Sequence, residues 1–161
     1  MRRLVPLLLA SVLLNLPAHA EQDLLLGADM GSAAMTKAEM TRADIEAMIA
    51  KADGKPIDLS DKALAGLDLS GLNLKGANLK GANLGRSRLE YADLTEADLT
   101  DVVLMGSDLS GANLTGATVS GADFKNVDVS GARLVSLKGQ DSAKDWSALV
   151  NVDRAITQVS N

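Results

Sequence analysis

The chain has 161 residues, 47% hydrophobic but only 2% aromatic, with 21 acidic and 16 basic side chains and a formal net charge of −5. It contains no cysteine and a single histidine, His19, which excludes thiol nucleophiles, disulfides and zinc centres built on Cys or paired His. So few aromatic residues are unusual for an ordinary globular core and point to a repeat architecture.

Residues 1–20 read as a secretory signal peptide. Met1-Arg2-Arg3 is positive, Leu4 to Leu16 is an apolar run, and Ala18-His19-Ala20 supplies small residues where a signal peptidase cuts, after Ala20. The alternative, an uncleaved membrane anchor, fits less well. The run is short for a span and contains Pro6, Asn15 and Pro17. The residues around Arg2-Arg3 do not support a twin-arginine signal, and without Cys there is no lipidation at a mature N-terminus. The expected mature chain begins at Glu21 and is periplasmic or secreted. It loses Arg2, Arg3 and His19, leaving 14 basic and 21 acidic residues, a net charge of −7. With neither Cys nor His it has no imidazole acid–base chemistry.

Residues 21–35 read as a partly ordered linker, because Gly27, Gly31 and Ser32 surround the apolar Leu24-Leu25-Leu26. Residues 36–56 read as a helical cap. Thr36-Lys-Ala-Glu39 and Thr41-Arg-Ala-Asp44 both have the form of a helix N-terminus with a capping side chain. Ile45, Met48, Ile49 and Ala52 then share one helix face. Gly54 ends the helix and Pro56 prevents its continuation.

Residues 57–136 are sixteen consecutive five-residue units, from IDLSD through ANLKG, ADLTE and ANLTG to ARLVS. The third residue of every unit is apolar, and the first is small or apolar in all but the unit that begins with Lys62. A period of five fits neither the 3.6 of a helix nor the 2 of a flat strand. It keeps its apolar set inside only if the chain turns a corner every five residues. Four sides then make a twenty-residue coil, and at about 4.8 Å per stacked backbone the rod is roughly 20 Å tall. The axis is filled by Leu69, Leu74, Leu79, Leu84, Leu89, Leu94, Leu99, Leu104, Leu109, Leu114, Val119, Phe124, Val129 and Leu134. Asn, Asp and Ser suit the tight corners because they bond to local backbone.

Units such as ANLKG, ADLTE, ADLTD and ANLTG resemble the A-(D/N)-L-x-x signature of the pentapeptide-repeat family, which is matched over about half the chain. The resemblance implies an all-β solenoid, a right-handed quadrilateral β-helix of about four coils with short α-helical caps at both ends. Units that depart from the signature include KALAG, LDLSG and VVLMG, which place Lys62, Leu67 and Val102 where Ala belongs. Lys62 is expected near the N-terminal end of the rod, where its amine reaches water. Each coil contacts only its neighbours, so the ends need covering. Residues 137–161 are expected to supply the second cap. Ser142-Ala-Lys-Asp145 resembles a helix start, and Trp146, Leu149, Val150, Ile156 and Val159 can share an apolar side, with Trp146 as a packing plug.

Residues twenty apart stack in columns: Asp68, Arg88, Asp108 and Asp128; Asn73, Asp93, Asn113 and Arg133; Asp58, Asn78, Asp98 and Thr118. The second, sixth, tenth and fourteenth units form the most apolar face, with Ala63, Ala65, Gly85, Val103 and Met105 where other faces show polar residues. That alignment reads either as a contact surface or as a neutral wall of tolerated small side chains. The candidate partner surface is Ala63, Ala65, Val103 and Met105, extended by Tyr91 on the adjacent face. The expected function is a non-catalytic structural or protein-interaction module of the periplasm. Its partner would be a protein of the cell envelope or a second copy, with no nucleic acid, no membrane span after cleavage, no cofactor and no metal. The resemblance also brings an alternative, because some family members are acidic DNA mimics that bind DNA gyrase and give quinolone resistance. Export, a short rod and the interrupting Lys80, Arg86, Arg88, Lys125 and Arg133 weaken it. An enzyme is not expected, because there is no phosphate-binding loop and the carboxylates lie on a regular surface.

Overall fold

Every fifth residue from Asp61 to Ser136 has a left-handed backbone, with φ between 54° and 73°. The residue that follows donates its N–H to the carbonyl three residues back, as Lys62 does to Leu59 and Ala77 to Leu74. Each corner is therefore a β-turn with positive φ at its third residue, the geometry that favours glycine. Nine of the sixteen corners are glycine and seven are not. The computed structural model describes residues 38–151 with Ala155 and Thr157, all within the unit 34–161. The expected signal peptide with its cleavage site, the linker at 21–35, the Thr36 cap, Ile156 and Val159 lie outside the described residues.

Corners twenty residues apart stack because the sides between them pair. Parallel bridges join each second-position residue to the residue twenty further on, from Asp58–Asn78 to Thr118–Lys138. Each is a single-residue bridge rather than a run of paired strand. On one side, Leu94 and Glu96 donate to the carbonyls of Asn113 and Thr115 at 2.8 and 2.9 Å, and Asn113 donates back to Ala92 at 2.9 Å. The backbone polar groups of a narrow coil are thus satisfied by the coil above or below.

The axis is dry. Leu69, Leu74, Leu79, Leu84, Leu89, Leu94, Leu99, Leu104, Leu109, Leu114, Val119, Phe124, Val129 and Leu134 are all at most 3% exposed. First-position alanines such as Ala77, Ala92 and Ala112 are buried beside them. Among the departures noted above, Val102 is buried, Leu67 is half-buried and Lys62 is exposed.

The helix α1, Arg42–Ala52, covers the first coil. Its N-cap is Thr41, whose side chain accepts from the Asp44 N–H while the Asp44 carboxylate accepts from the Thr41 N–H, a complete capping box. Ile45 is fully buried, and Met48, Ile49 and Ala52 pack against the core. The left-handed stop begins at Asp53, one residue before Gly54. Arg42 fixes the helix to the rod by donating to the carbonyls of Asp68 and Ser70 and to the Asp68 carboxylate. Among the described residues no helix is long and apolar enough to cross a membrane.

The other end departs from expectation. Residues 137–151 form no α-helix and contain only two single 3-10 turns, Gln140–Ser142 and Trp146–Ala148. The segment instead lays down one more layer of ladder. Lys138, Lys144 and Val150 each bridge the rod, opposite Thr118, Asp123 and Asp128. Its corners, Gly139, Asp145 and Asn151, are left-handed and six residues apart. An α-helix would satisfy its own backbone and leave the edge of the last coil open. The extended tail accepts from Val119, Phe124 and Val129 and donates to Ala117, Ala122 and Val127, closing that edge. Trp146 meets Phe124 edge to face, with centroids 4.9 Å apart and planes at 82°, so the expected plug forms without the helix. Val150, expected on the apolar side, is 41% exposed.

Candidate functional site

The four walls share one local motif; it fails once on each of three walls, at Arg88, Thr118 and Arg133, and twice on the fourth, at Ala63 and Val103, where the candidate site lies. A second-position Asp or Asn bends back so that its Oδ1 accepts from the N–H two residues on. A Ser or Thr at that position adds its hydroxyl, as in Asp93 with Thr95, Asp98 with Thr100 and Asp108 with Ser110. The outward N–H is thereby covered and the wall carries a closed polar pair.

On the face of the second, sixth and tenth units the pair is lost. Ala63 and Val103 have no acceptor to offer, and nothing among the described residues accepts from the N–H of Ala65 or Met105. Between them, Asn83 still covers the Gly85 N–H at 3.0 Å, but Gly85 brings no side chain. The missing side chain leaves an open recess of about 470 Å³ lined by Ala65, Gly66, Asn83, Gly85, Arg86, Val103 and Met105. Met105 stands 46% exposed at its lower edge. Gly85 is not left-handed, and a Cβ there would lie 3.2 Å from Asn83 Oδ1 and 3.6 Å from the Met105 carbonyl. Glycine is therefore not required by the backbone at this position.

Two residues of the expected surface fall outside the recess. Ala63 is half-buried on the same rung as Ala65 without lining the recess, and Tyr91, 77% exposed, stands at the next corner round the coil from Arg86. Three residues that periodicity passed over line it instead: Asn83, Gly85's neighbour Arg86, and Gly66. Arg86 occupies a left-handed corner, φ 57°, and its stem passes over Gly106, where a Cβ would lie 3.8 Å from Arg86 Cγ. The available signal was the absence of glycine at that corner beside a fourth-position glycine in the same unit, ANLGR.

The charged column on the adjacent face is internally paired. Arg88 reaches Asp68 at 3.2 Å and Glu90 at 3.1 Å, and Arg42 approaches Asp68 at 3.3 Å. The Ser70 hydroxyl and N–H, aided by the two guanidinium groups, hold the Asp68 carboxyl below the usual carboxylate range. Ser60 does the same for Asp58. The bond to Glu90 and the charge of Asp68 raise Arg88. Arg86 makes no ion pair among the described residues. No group of three His, Cys, Asp or Glu side chains there is placed to hold a metal ion.

Comparison with known proteins gives a consistent picture of the repeat. The family described as pentapeptide repeats matches residues 68–106 and 103–136, with 8 copies. Among solved structures, a pentapeptide repeat protein from the thylakoid lumen of Arabidopsis thaliana is similar at 26% identity and a TM-score of 0.56, over 63% of this chain and 71% of that one. A pentapeptide repeat protein from the cyanobacterium Cyanothece 51142 is 27% identical with a TM-score of 0.40, over 65% and 67%. A plasmid-mediated fluoroquinolone resistance protein is 22% identical with a TM-score of 0.32, over 54% of each chain. No curated protein matches. The plant protein carries the fold, a right-handed quadrilateral β-helix.

Proposed function

Because the chain belongs to the pentapeptide-repeat family, we propose that it is a non-catalytic binding module, a rod of about four coils that presents one outer face to a partner protein in an exported compartment. The observation that carries this reading is the recess between Ala65 and Met105. Each other wall lacks a single Asx pair, whereas here two are missing on alternate rungs and an apolar hollow lies beside the uncovered N–H groups. The location rests on residues 1–20, and the plant relative is likewise lumenal. A gyrase-directed DNA mimic is the weaker reading, since Arg42 and Arg88 neutralise Asp68 at the head of its acidic column.

Two measurements test the proposal. Intact mass from separated cell fractions should find a periplasmic species beginning at Glu21. A full-length cytoplasmic species would move the search to cytoplasmic targets, starting with a supercoiling assay. The variant Val103→Ser/Met105→Ser should melt as wild type does, because both side chains lie on the wall, yet lose the complex captured from the same fraction. Unchanged capture would make the face only a wall.

A further inference from the structure

We propose that the recess receives an extended peptide segment in which an apolar side chain stands next to a carboxylate, with Arg86 and the Met105 amide as the anion-binding groups. The inference rests on the partner-binding reading above and adds the chemistry of what is bound.

Three features select this occupant. The first is size. A hollow of about 470 Å³ suits one or two side chains. A whole face of so short a rod, roughly 20 Å on a side, falls well below the ~800 Å² per partner of a stable protein–protein interface. A second copy laid flat on this face is therefore disfavoured against a narrow segment. The second is the apolar wall. Val103 and Met105 stand beside the open side of Gly85, so a Leu, Ile or Val side chain placed there covers both and meets no polar pair that it would strand.

The third is charge. The chain is acidic overall, yet the cation at the rim is Arg86, which has no carboxylate partner among the described residues, whereas Arg88 and Arg42 are both paired. Its backbone N–H bonds the Met105 carbonyl at 3.0 Å, and its stem lies over Gly106. The guanidinium is thus carried by a backbone anchored beside the uncovered Met105 N–H. A carboxylate that follows the apolar residue can take a charge-assisted bond from Arg86 and a second bond from the amide. A cationic segment would face Arg86 and find no carboxylate among the lining residues. Lys125, one rung below Met105 in the same column and exposed, strengthens the preference.

The test uses the isotope-labelled protein and three capped hexapeptides identical except at their centre, Leu-Asp, Leu-Asn or Leu-Lys. Addition of the Leu-Asp peptide should shift the amide resonances of Ala65, Gly85 and Met105, with an affinity about tenfold above that of Leu-Asn. Arg86→Glu should invert the order in favour of Leu-Lys. An acidic residue is tolerated at such a corner, since Glu96 has φ 60°. Gly85→Lys should abolish binding of all three. Lysine already occupies the same position of the wall at Lys75, Lys80 and Lys125, so the fold is kept. Equal affinities for the three peptides, lost in Gly85→Lys, would overturn the carboxylate inference and leave the face as a binding surface. If no peptide binds while sedimentation shows dimers that Gly85→Lys dissociates, the occupant is a second copy and the inference falls. Absence of both peptide binding and dimers would overturn the inference and count against the partner-binding face as well.

Discussion

Tyr91 has a left-handed backbone, φ 59°, and its ring lies over Gly111 on the next rung. It belongs to a run of four corners without glycine, Arg86, Tyr91, Glu96 and Asp101. Each stands over a glycine twenty residues on, at 106, 111, 116 and 121. A side chain leaving a left-handed corner folds along the stack; a Cβ on the glycine beneath would clash with Tyr91 and Asp101 but make ordinary contact with Arg86 and Glu96. At Gly111 a Cβ would come within 2.6 Å of the Tyr91 ring. Gly111→Ala should therefore cost about 1–2 kcal/mol in a Tyr91→Ala background, where only the left-handed backbone is penalised, and more in the wild type. Urea midpoints for the four proteins of that cycle measure the difference. Equal costs in both backgrounds would mean that the ring swings aside. The pairing of large corner with later glycine was present in the sequence, but the direction in which a corner side chain folds is a property of the stacked backbone.

At the scale of elements the two ends behave differently. The capping box Thr41–Asp44 and the apolar set Ile45, Met48, Ile49 and Ala52 are local signals, and α1 forms where they place it. Thr41→Ala should cost about 1 kcal/mol. It should also raise hydrogen exchange at Leu59 and Leu64 in the first coil before it does so at Leu94, because the cap protects the nearest rung. Uniform acceleration along the rod would show that the cap is no separate unit. The C-terminal segment carries signals that look equally local, Ser142 to Asp145 followed by apolar residues, yet it is not helical. What decides it is the open row of donors and acceptors on the last coil, which an extended chain can satisfy and a helix cannot. The six-residue spacing of Leu137, Ala143 and Leu149, all partly buried, matches that layer. A shift from five to six is legible only to a reader who already expects the coil to continue.

For the whole molecule, the axis is one continuous column with a single apolar side chain per side per coil. Leu94 lies in its middle with no exposed surface. Leu94→Asp places a carboxylate where no water and no partner reach it, and since each coil rests on its neighbours the damage is not confined. The expected result is loss of a cooperative thermal transition by circular dichroism. A normal melt would mean that residue 94 faces solvent and that the register is wrong. Sixteen apolar third positions and a small or apolar first position in all but one unit were enough to specify this coil, because period, size and polarity all demand one inward direction every five residues. The columns at 58, 68 and 73 likewise followed from a twenty-residue turn and are the bridged rows of the structure. The recess followed only in part: the turn aligned Ala65, Gly85, Val103 and Met105, but not Gly66, Asn83 and Arg86. Its outline depends on which neighbours in three successive rungs lack a side chain or an acceptor at once, as Ala63, Gly85 and Val103 do, and on Arg86 reaching in from the corner while Tyr91 stays out. Inward positions are repeated and so are written into the chain. Surface hollows are exceptions to the repeat: the period aligns them, and the stacked tertiary structure decides which side chains open or close them.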